Sequence, residues 1–449
     1  MRFNMLLEFS AKNYKSFKDE MRFVMTPTPR ITGLDYSISE TKIKNKVYKS
    51  LCSSVIYGPN AAGKTNIIGA MDTFKNIVLR GHIKNSSSNG PNVAAGNLEL
   101  IPFFNSDDVA PVAFSITFIQ DGMLIRYAFS MIIGQFLEET EENREIVFEE
   151  LYVNDKRLFT RNSVLDINTE SIRDLLNEGA TNNNINAEMI AKYSLNPKEL
   201  FLMNGFKTVY SQSLVNSIVE WIDKKFTVIY RADIVSARKK IDEDKRNILQ
   251  IDQFVNDAAK VFGISSNAVA YAVPQEGGEP VLLSLIGRDK PFGIPAKFFE
   301  SFGTLRFINE FPLIIKAMTT GGTLVIDEFD ASIHPMALMS IINVFHNDTV
   351  NKKHAQLIFN THNPIFLNAN LFRRDEIKFV ERDDESSASS LYQLSDFGTQ
   401  GEEGVRKNED YMKNYFVYRY GAIKEIDFLP LFQQLLGDEN EENKNNGNS

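Results

Sequence analysis

The stretch Gly58-Pro59-Asn60-Ala61-Ala62-Gly63-Lys64-Thr65 reads G-x-x-x-x-G-K-T. Before it stands Ser53-Ser54-Val55-Ile56-Tyr57, short and β-prone; after it Asn66-Ile67-Ile68-Gly69-Ala70-Met71 spaces its apolar residues as a helix does. A strand, a glycine loop and a helix N-terminus are the setting in which this pattern holds phosphate. Gly58 and Gly63 let the backbone curl so that the N–H groups of Pro59-Asn60-Ala61-Ala62 and their neighbours, proline excepted, turn inward. The helix adds the positive end of its dipole. Lys64 is placed to reach the β- and γ-phosphates, and Thr65 to offer its hydroxyl to Mg²⁺. The implied ligand is a nucleoside triphosphate.

A second stretch completes the pattern. Thr323-Leu324-Val325-Ile326-Asp327-Glu328-Phe329-Asp330 is a run of strand formers ending in two adjacent carboxylates. A buried parallel strand delivers such residues to its C-terminal end, where phosphate loops also lie. Asp327 is then the candidate for the Mg²⁺ shell, and Glu328 the candidate to orient or deprotonate the attacking water. Glu300-Ser301-Phe302-Gly303-Thr304 precedes a helical pattern over Leu305 to Met318, and Gln356-Leu357-Ile358-Phe359-Asn360-Thr361-His362 is another strand ending in a histidine.

The rest of the 449-residue chain bounds the answer. Its length predicts two or three domains, or one with large insertions. The apolar share of 43% and the charged share of 24% are those of an ordinary globular chain. Apolar runs such as Gly321 to Ile326 are too short to span a bilayer, and the N-terminus lacks a secretory pattern. Cys52, the single cysteine, excludes an internal disulfide and reads as core. The expectation is a cytoplasmic protein with no membrane partner. A net charge of −9 argues against a surface that attracts nucleic acid everywhere, but leaves a local DNA-binding patch open.

Along the chain, Leu6 to Tyr14 and Glu20 to Met25 read as a hairpin, and residues 30–50 as irregular. Val112 to Ile119 and Met123 to Ile133 alternate around Asp121-Gly122, a strong hairpin signal, with Ile146 to Val153 as a third strand. From 169 to 262 the spacing is mainly helical, and Ala268 to Val273 and Pro280 to Ile286 read as strands joined through Gly277-Gly278. The mixed-charge run Ala237 to Arg246 reads as a solvated helix face, the lone Trp221 as core or interface, and His82, His346 and His354 as surface. Lys15 is a candidate to approach the nucleotide.

The order phosphate loop, Ser-x-Gly-Thr, apolar-Asp-Glu, strand-end His resembles the ATP-binding-cassette ATPases, in the branch that holds the RecF, SMC and OLD proteins. Asn13-Tyr14-Lys15-Ser16-Phe17 and Asn66 look like that branch too. Ile326-Asp327-Glu328-Phe329-Asp330, His334-Pro335 and Arg419-Tyr420-Gly421-Ala422 are similar to RloA/AbiL-type AAA-family anti-phage defence ATPases. The resemblance covers roughly residues 5–80 and 295–425.

It implies an α/β ABC-ATPase head, with a mixed sheet, a P-loop core and an antiparallel β subdomain, carrying a mainly helical insertion. The implied divisions are 1–135 and 291–400 for the two halves of the head, 136–290 for the insertion, 401–436 for a C-terminal helical segment and 437–449 for a disordered tail. It further implies ATP with Mg²⁺, sandwiched in a homodimer or higher homo-oligomer. Ser301 and Gly303 would contact the γ-phosphate held by a partner's Lys64, Ala331 to His334 would line the seam, and His362 would sense the γ-phosphate. Phe302 and Thr304 depart from the commoner Ser-Gly-Gly-Gln/Glu signature. The glutamine that usually assists Mg²⁺ is not located; Gln120 and Gln135 are open candidates. The function implied is the sensor ATPase of a prokaryotic anti-phage system with a separately encoded effector such as a nuclease. The alternatives are a RecF/SMC-like DNA-maintenance clamp and an ATP-held scaffold that sequesters a toxin.

Overall fold

A computed structural model describes residues 3–29, 31–84, 98–106, 108–137, 141–182, 184–193, 195–231, 249, 252–272, 280–287, 291–398, 404–406 and 409–435. The mixed-charge helix face (237–246), the glycine connection (277–278) and the tail (437–449) lie outside the described residues.

The six-stranded sheet that carries the site runs Phe226–Ile229, Thr323–Ile326, Gln356–Asn360, Ser53–Tyr57, Ile377–Arg382, Ser389–Gln393 across its width. The first five are mutually parallel and the last is antiparallel. Three of the central strands are fully buried, which is why they read as continuous apolar or small runs rather than alternating ones.

A seven-stranded antiparallel sheet lies over it, in the order Leu165–Ile167, Lys156–Arg161, Glu145–Val153, Met123–Ile132, Val112–Gln120, Met5–Lys12, Met21–Val24. The Asp121-Gly122 turn has positive φ at both residues, +52° and +76°, as a two-residue hairpin of matching twist requires. The helix Lys64–Arg80 is packed between the two sheets. Its Ile67, Met71, Phe74 and Ile77 share one core with Phe9, Phe114, Tyr127 and Phe129 of the antiparallel sheet and Val325 and Ile358 of the parallel one. Helices Phe302–Thr320 and Pro335–His346 cover the opposite face, in a second core with Leu324, Ile326, Leu357 and Phe359. The mixed α/β head is therefore the architecture the sequence predicts.

Several local expectations change. Residues 30–50, read as irregular, contain a paired hairpin of Ile38–Ile43 and Lys46–Leu51. Its buried face is built partly of small polar residues, Ser39 and Thr41, which carry no apolar alternation to read. Phe226–Ile229 is a strand at the sheet edge, directly after a helix over Gln212–Glu220 whose last turn, Trp221–Lys225, is a wider coil. Trp221 is core, stacked between Phe118 and Phe226. His346, expected at the surface, is buried: its Nε2 lies 2.8 Å from Ser53 Oγ and 3.1 Å from Glu376 Oε1. That network ties the Pro335–His346 helix to the strand before the phosphate loop. Residues 429–435 form a last helix on which Leu429, Leu431, Phe432 and Leu435 are exposed.

Candidate nucleotide site

The loop Gly58–Thr65 leaves the buried strand Ser53–Tyr57 and enters the helix Lys64–Arg80. Its two end glycines are required by space. A Cβ at Gly58 would stand 2.4 Å from the Val380 carbonyl oxygen, and one at Gly63 2.7 Å from Ser16 Oγ and 2.8 Å from Ser389 Oγ. Gly63 also has φ +113°, in the region that side chains resist. Two serines clamp the loop from outside. Ser389 Oγ donates to the Ala62 carbonyl at 2.6 Å, and Asn66 Nδ2 donates to Ser16 Oγ at 2.8 Å. Ser389 N–H in turn donates to the Ser16 carbonyl at 2.7 Å. So the Asn13–Phe17 turn and the last strand of the parallel sheet hold the loop in shape together. Ser389 does not announce itself in the sequence, because its contact spans 327 residues, whereas Ser16 lies in the Asn13–Phe17 stretch already singled out.

Lys64 is buried and donates to the Gly58 and Pro59 carbonyls at 2.7 and 3.0 Å. Burial pulls its pKa down to about 8, against the opposing pull of Glu328, Asp327 and Asp330. A polyphosphate set against this ammonium would favour its charged form.

Asp327 sits at the end of the strand Thr323–Ile326 with both carboxylate oxygens engaged. Oδ1 accepts from Thr65 Oγ1 at 3.1 Å and from Asn360 Nδ2 at 2.6 Å; Oδ2 accepts from the Arg231 N–H at 3.3 Å. Asn360, at the end of the neighbouring strand, also receives the Glu328 N–H on its Oδ1. One asparagine thus sets the position of both carboxylate residues. Glu328 has positive φ, +50°, a conformation a non-glycine residue adopts only when its surroundings hold it there. Arg306 supplies part of that hold, donating from Nη2 to the Glu328 carbonyl at 2.6 Å while its Nε donates to Glu310 at 2.9 Å. The Glu328 side chain is exposed, clear of the protein groups that fix its backbone.

The Thr65 hydroxyl and the Asp327 carboxylate fit Mg²⁺, a hard cation that takes one or two protein oxygens and completes its octahedron with phosphates and water. Among the described residues no group of three or more His, Cys, Asp or Glu side chains forms a separate metal cage.

His362 follows the strand Gln356–Asn360 and is exposed. What cover its ring has and the neighbouring Lys64 charge both lower its pKa, partly offset by Asp330 and Asp327, which puts the imidazole within the electrostatic reach of the site. Asp330, its pKa raised by burial, accepts from Thr361 Oγ1 at 2.6 Å.

Ser301 and Gly303 stand apart from this cluster. Ser301 N-caps the helix Phe302–Thr320, accepting from the Thr304 N–H at 3.1 Å, and is itself exposed. A Cβ at Gly303 would be 2.1 Å from the Ser332 carbonyl oxygen, so the glycine lets this helix start close against the Asp330–His334 loop. His334 caps the next helix, its Nδ1 accepting the Met336 N–H at 3.2 Å. Among the described residues no hydrogen bond joins Ser301 or Gly303 to the phosphate loop of its own chain. Of the open glutamine candidates, Gln120 is committed elsewhere, bonding Asp121 and Lys225. Lys15 lies with Glu99 and Tyr230 beside the helix Lys64–Arg80.

Among solved structures, the SMC head domain from Thermotoga maritima matches at 13% identity and a TM-score of 0.36, over 88% of this chain and 99% of that one. An SMC head bound to the C-winged helix domain of ScpA matches at 12% and 0.38, over 86% and 97%. An SMC head with an extended coiled coil, bound to the C-terminal domain of ScpA derived from Pyrococcus furiosus, matches at 14% and 0.35, over 87% and 96%. Comparison with curated proteins gives no match. Residues 53–368, which contain the phosphate loop, Asp327, Glu328 and His362, match the family described as "AAA domain, putative AbiEii toxin, Type IV TA system", and the chain belongs to that family.

Proposed function

We propose that this chain binds and hydrolyses ATP, and that two copies close on the nucleotide. The observation that carries the reading is the 3.1 Å hydrogen bond between Thr65 Oγ1 and Asp327 Oδ1, which brings the two halves of a triphosphate site together from 262 residues apart. Backbone N–H groups of the Gly58–Thr65 loop, Pro59 excepted, cradle the phosphates, and Lys64 leaves the Gly58 and Pro59 carbonyls to neutralise them. Thr65 and Asp327 would hold Mg²⁺, which would supply positive charge against the charge that develops on the phosphates. Glu328 orients the attacking water and takes its proton, and His362 donates to the γ-phosphate.

Ser301 and Gly303 act on the nucleotide of the second copy. Support for this comes from the exposure of Ser301, the N-cap of a helix of 19 residues, whose N-terminal end favours an anion. Closure on ATP and release on hydrolysis then make the chain a switch.

In the cell we place this switch in the cytoplasm, as the regulatory ATPase of a prokaryotic anti-phage system close to the RloA/AbiL type, acting on a separately encoded effector. The family description, which names a toxin and a toxin–antitoxin system, supports a defence role. The exposed apolar side chains on residues 429–435 support a protein partner, since such patches are normally covered. No helix among the described residues is long and apolar enough to cross a membrane.

ATP turnover of the purified chain, with and without duplex DNA and with its mass in solution recorded, tests the proposal. Turnover in a dimer or larger species supports it. Stimulation by DNA would favour a DNA clamp or a DNA-triggered sensor, and no nucleotide binding at all would refute it.

A further inference from the structure

The strand Phe226–Ile229 runs parallel to Thr323–Ile326 with Ile229 opposite Ile326. Both chains therefore leave the sheet at the same edge, and Tyr230 and Arg231 emerge beside Asp327. The Arg231 N–H, donated to Asp327 Oδ2 at 3.3 Å, places this residue one hydrogen bond from the carboxylate assigned to Mg²⁺. Its backbone is left-handed, φ +55°.

The side chain is half free. Arg231 Nη1 lies 3.3 Å from Glu99 Oε1, its guanidinium sits 4.9 Å from the centre of the Tyr230 ring, and the side chain is 49% exposed. Tyr230 is a fixed platform: its ring rests against Gly69 of the phosphate-loop helix, where a Cβ would come within 3.1 Å, and its hydroxyl donates to Glu99 Oε2 at 2.9 Å. Lys15 also pairs with Glu99 and donates to the Tyr230 hydroxyl at 2.9 Å. One carboxylate thus holds two cations at the rim of a site built for a polyanion. An exposed ion pair of this sort is weak, and a phosphate offers arginine a stronger, forked contact.

We propose that Arg231 is a γ-phosphate contact supplied by the same chain, resting on Glu99 and transferring to the triphosphate, so that the site distinguishes ATP from ADP. The inference rests on the ATP reading above. A strand-edge arginine that only closes a surface ion pair is the competing account, and it predicts no nucleotide selectivity.

The test is equilibrium binding of a slowly hydrolysed ATP analogue and of ADP, each with Mg²⁺, to the full chain and to Arg231→Ala, Arg231→Lys and Glu99→Gln. Arg231→Ala should weaken the ATP analogue by about tenfold to a hundredfold, the worth of a charge-assisted contact, and leave ADP within about twofold. Arg231→Lys should recover part of the loss, and Glu99→Gln should tighten the ATP analogue by releasing the cation. An unchanged ratio of the two affinities in Arg231→Ala overturns the inference while leaving ATP binding intact. A wild-type chain that binds neither nucleotide overturns the ATP reading and this with it.

Discussion

Two regions of the molecule carry the proposed nucleotide chemistry, and they are built in opposite ways. Around Thr65 and Asp327 the loop, the Asp327 carboxylate and the Glu328 backbone are tied to other elements of the same chain: Asn360 to Asp327 and Glu328, Ser389 and Ser16 to the loop, Arg306 to the Glu328 carbonyl. At Ser301 the hydrogen bonds stay within one helical turn and the side chain faces solvent. A preorganised half and a presented half are what a site completed by a second copy requires, because only the first must keep its shape alone. Arg306 is the link between them, since it lies on the helix that Ser301 caps and reaches the carboxylate loop.

The largest effect should come from the preorganised half. Glu328→Gln is expected to lower ATP turnover by about 10²- to 10⁴-fold, the range for removing a general base, while ATP binding persists and the closed dimer accumulates. Turnover within a few-fold of wild type would remove Glu328 from the chemistry.

The link is the next place to break. Arg306→Ala strips the Glu328 carbonyl of its donor and leaves Glu310, 2% exposed and with its pKa already raised to about 7 by burial, without its cation. Breaking a buried pair from one side costs about 3–5 kcal/mol, so the midpoint of chemical denaturation should fall clearly. Arg306→Ala with Glu310→Leu should recover much of that stability but not the turnover, if Arg306 positions Glu328 as well as filling the core. Equal recovery of both would reduce Arg306 to packing.

A smaller effect sharpens the comparison from outside either region. Lys378 is buried on the strand Ile377–Arg382, bonded to the Asp375 carbonyl at 3.1 Å, and burial lowers its pKa to about 8. An unfolded lysine keeps its proton to about 10.4, so between pH 8 and 10 the unfolded chain binds more protons and stability rises with pH. Lys378→Met should flatten that rise by up to about 1.4 kcal/mol per pH unit, with nucleotide affinity unchanged. A slope identical to wild type would show that the ammonium is neutralised some other way.

What could be read from sequence divides along the same line. The phosphate loop and the Asp327 strand were legible because their residue types are dictated by backbone geometry and by charge at a strand end. The antiparallel sheet was legible as far as its strands alternate, as at Asp121-Gly122. The hairpin at 38–51 was not, because Ser39 and Thr41 bury hydroxyls that have partners in space, such as Cys52 Sγ and His354 Nδ1 for Ser39, and none nearby in sequence. Asn360, Ser389 and Arg231 escaped for the same reason. Each acts through a contact that only the folded sheet creates. His346 was misplaced because lone histidines carry no pattern, and its partners Ser53 and Glu376 lie on other strands.

The most direct test of a site shared between copies is mixing. Lys64→Ala removes the phosphate-binding lysine, and Ser301→Glu sets a negative charge where the presented helix should meet the γ-phosphate. Each variant alone should lose ATP turnover, whereas an equimolar mixture should regain part of it, because mixed dimers contain one site with an intact Lys64 and an intact Ser301. Wild-type turnover by Ser301→Glu alone would contradict the account, placing the whole reaction within a single chain.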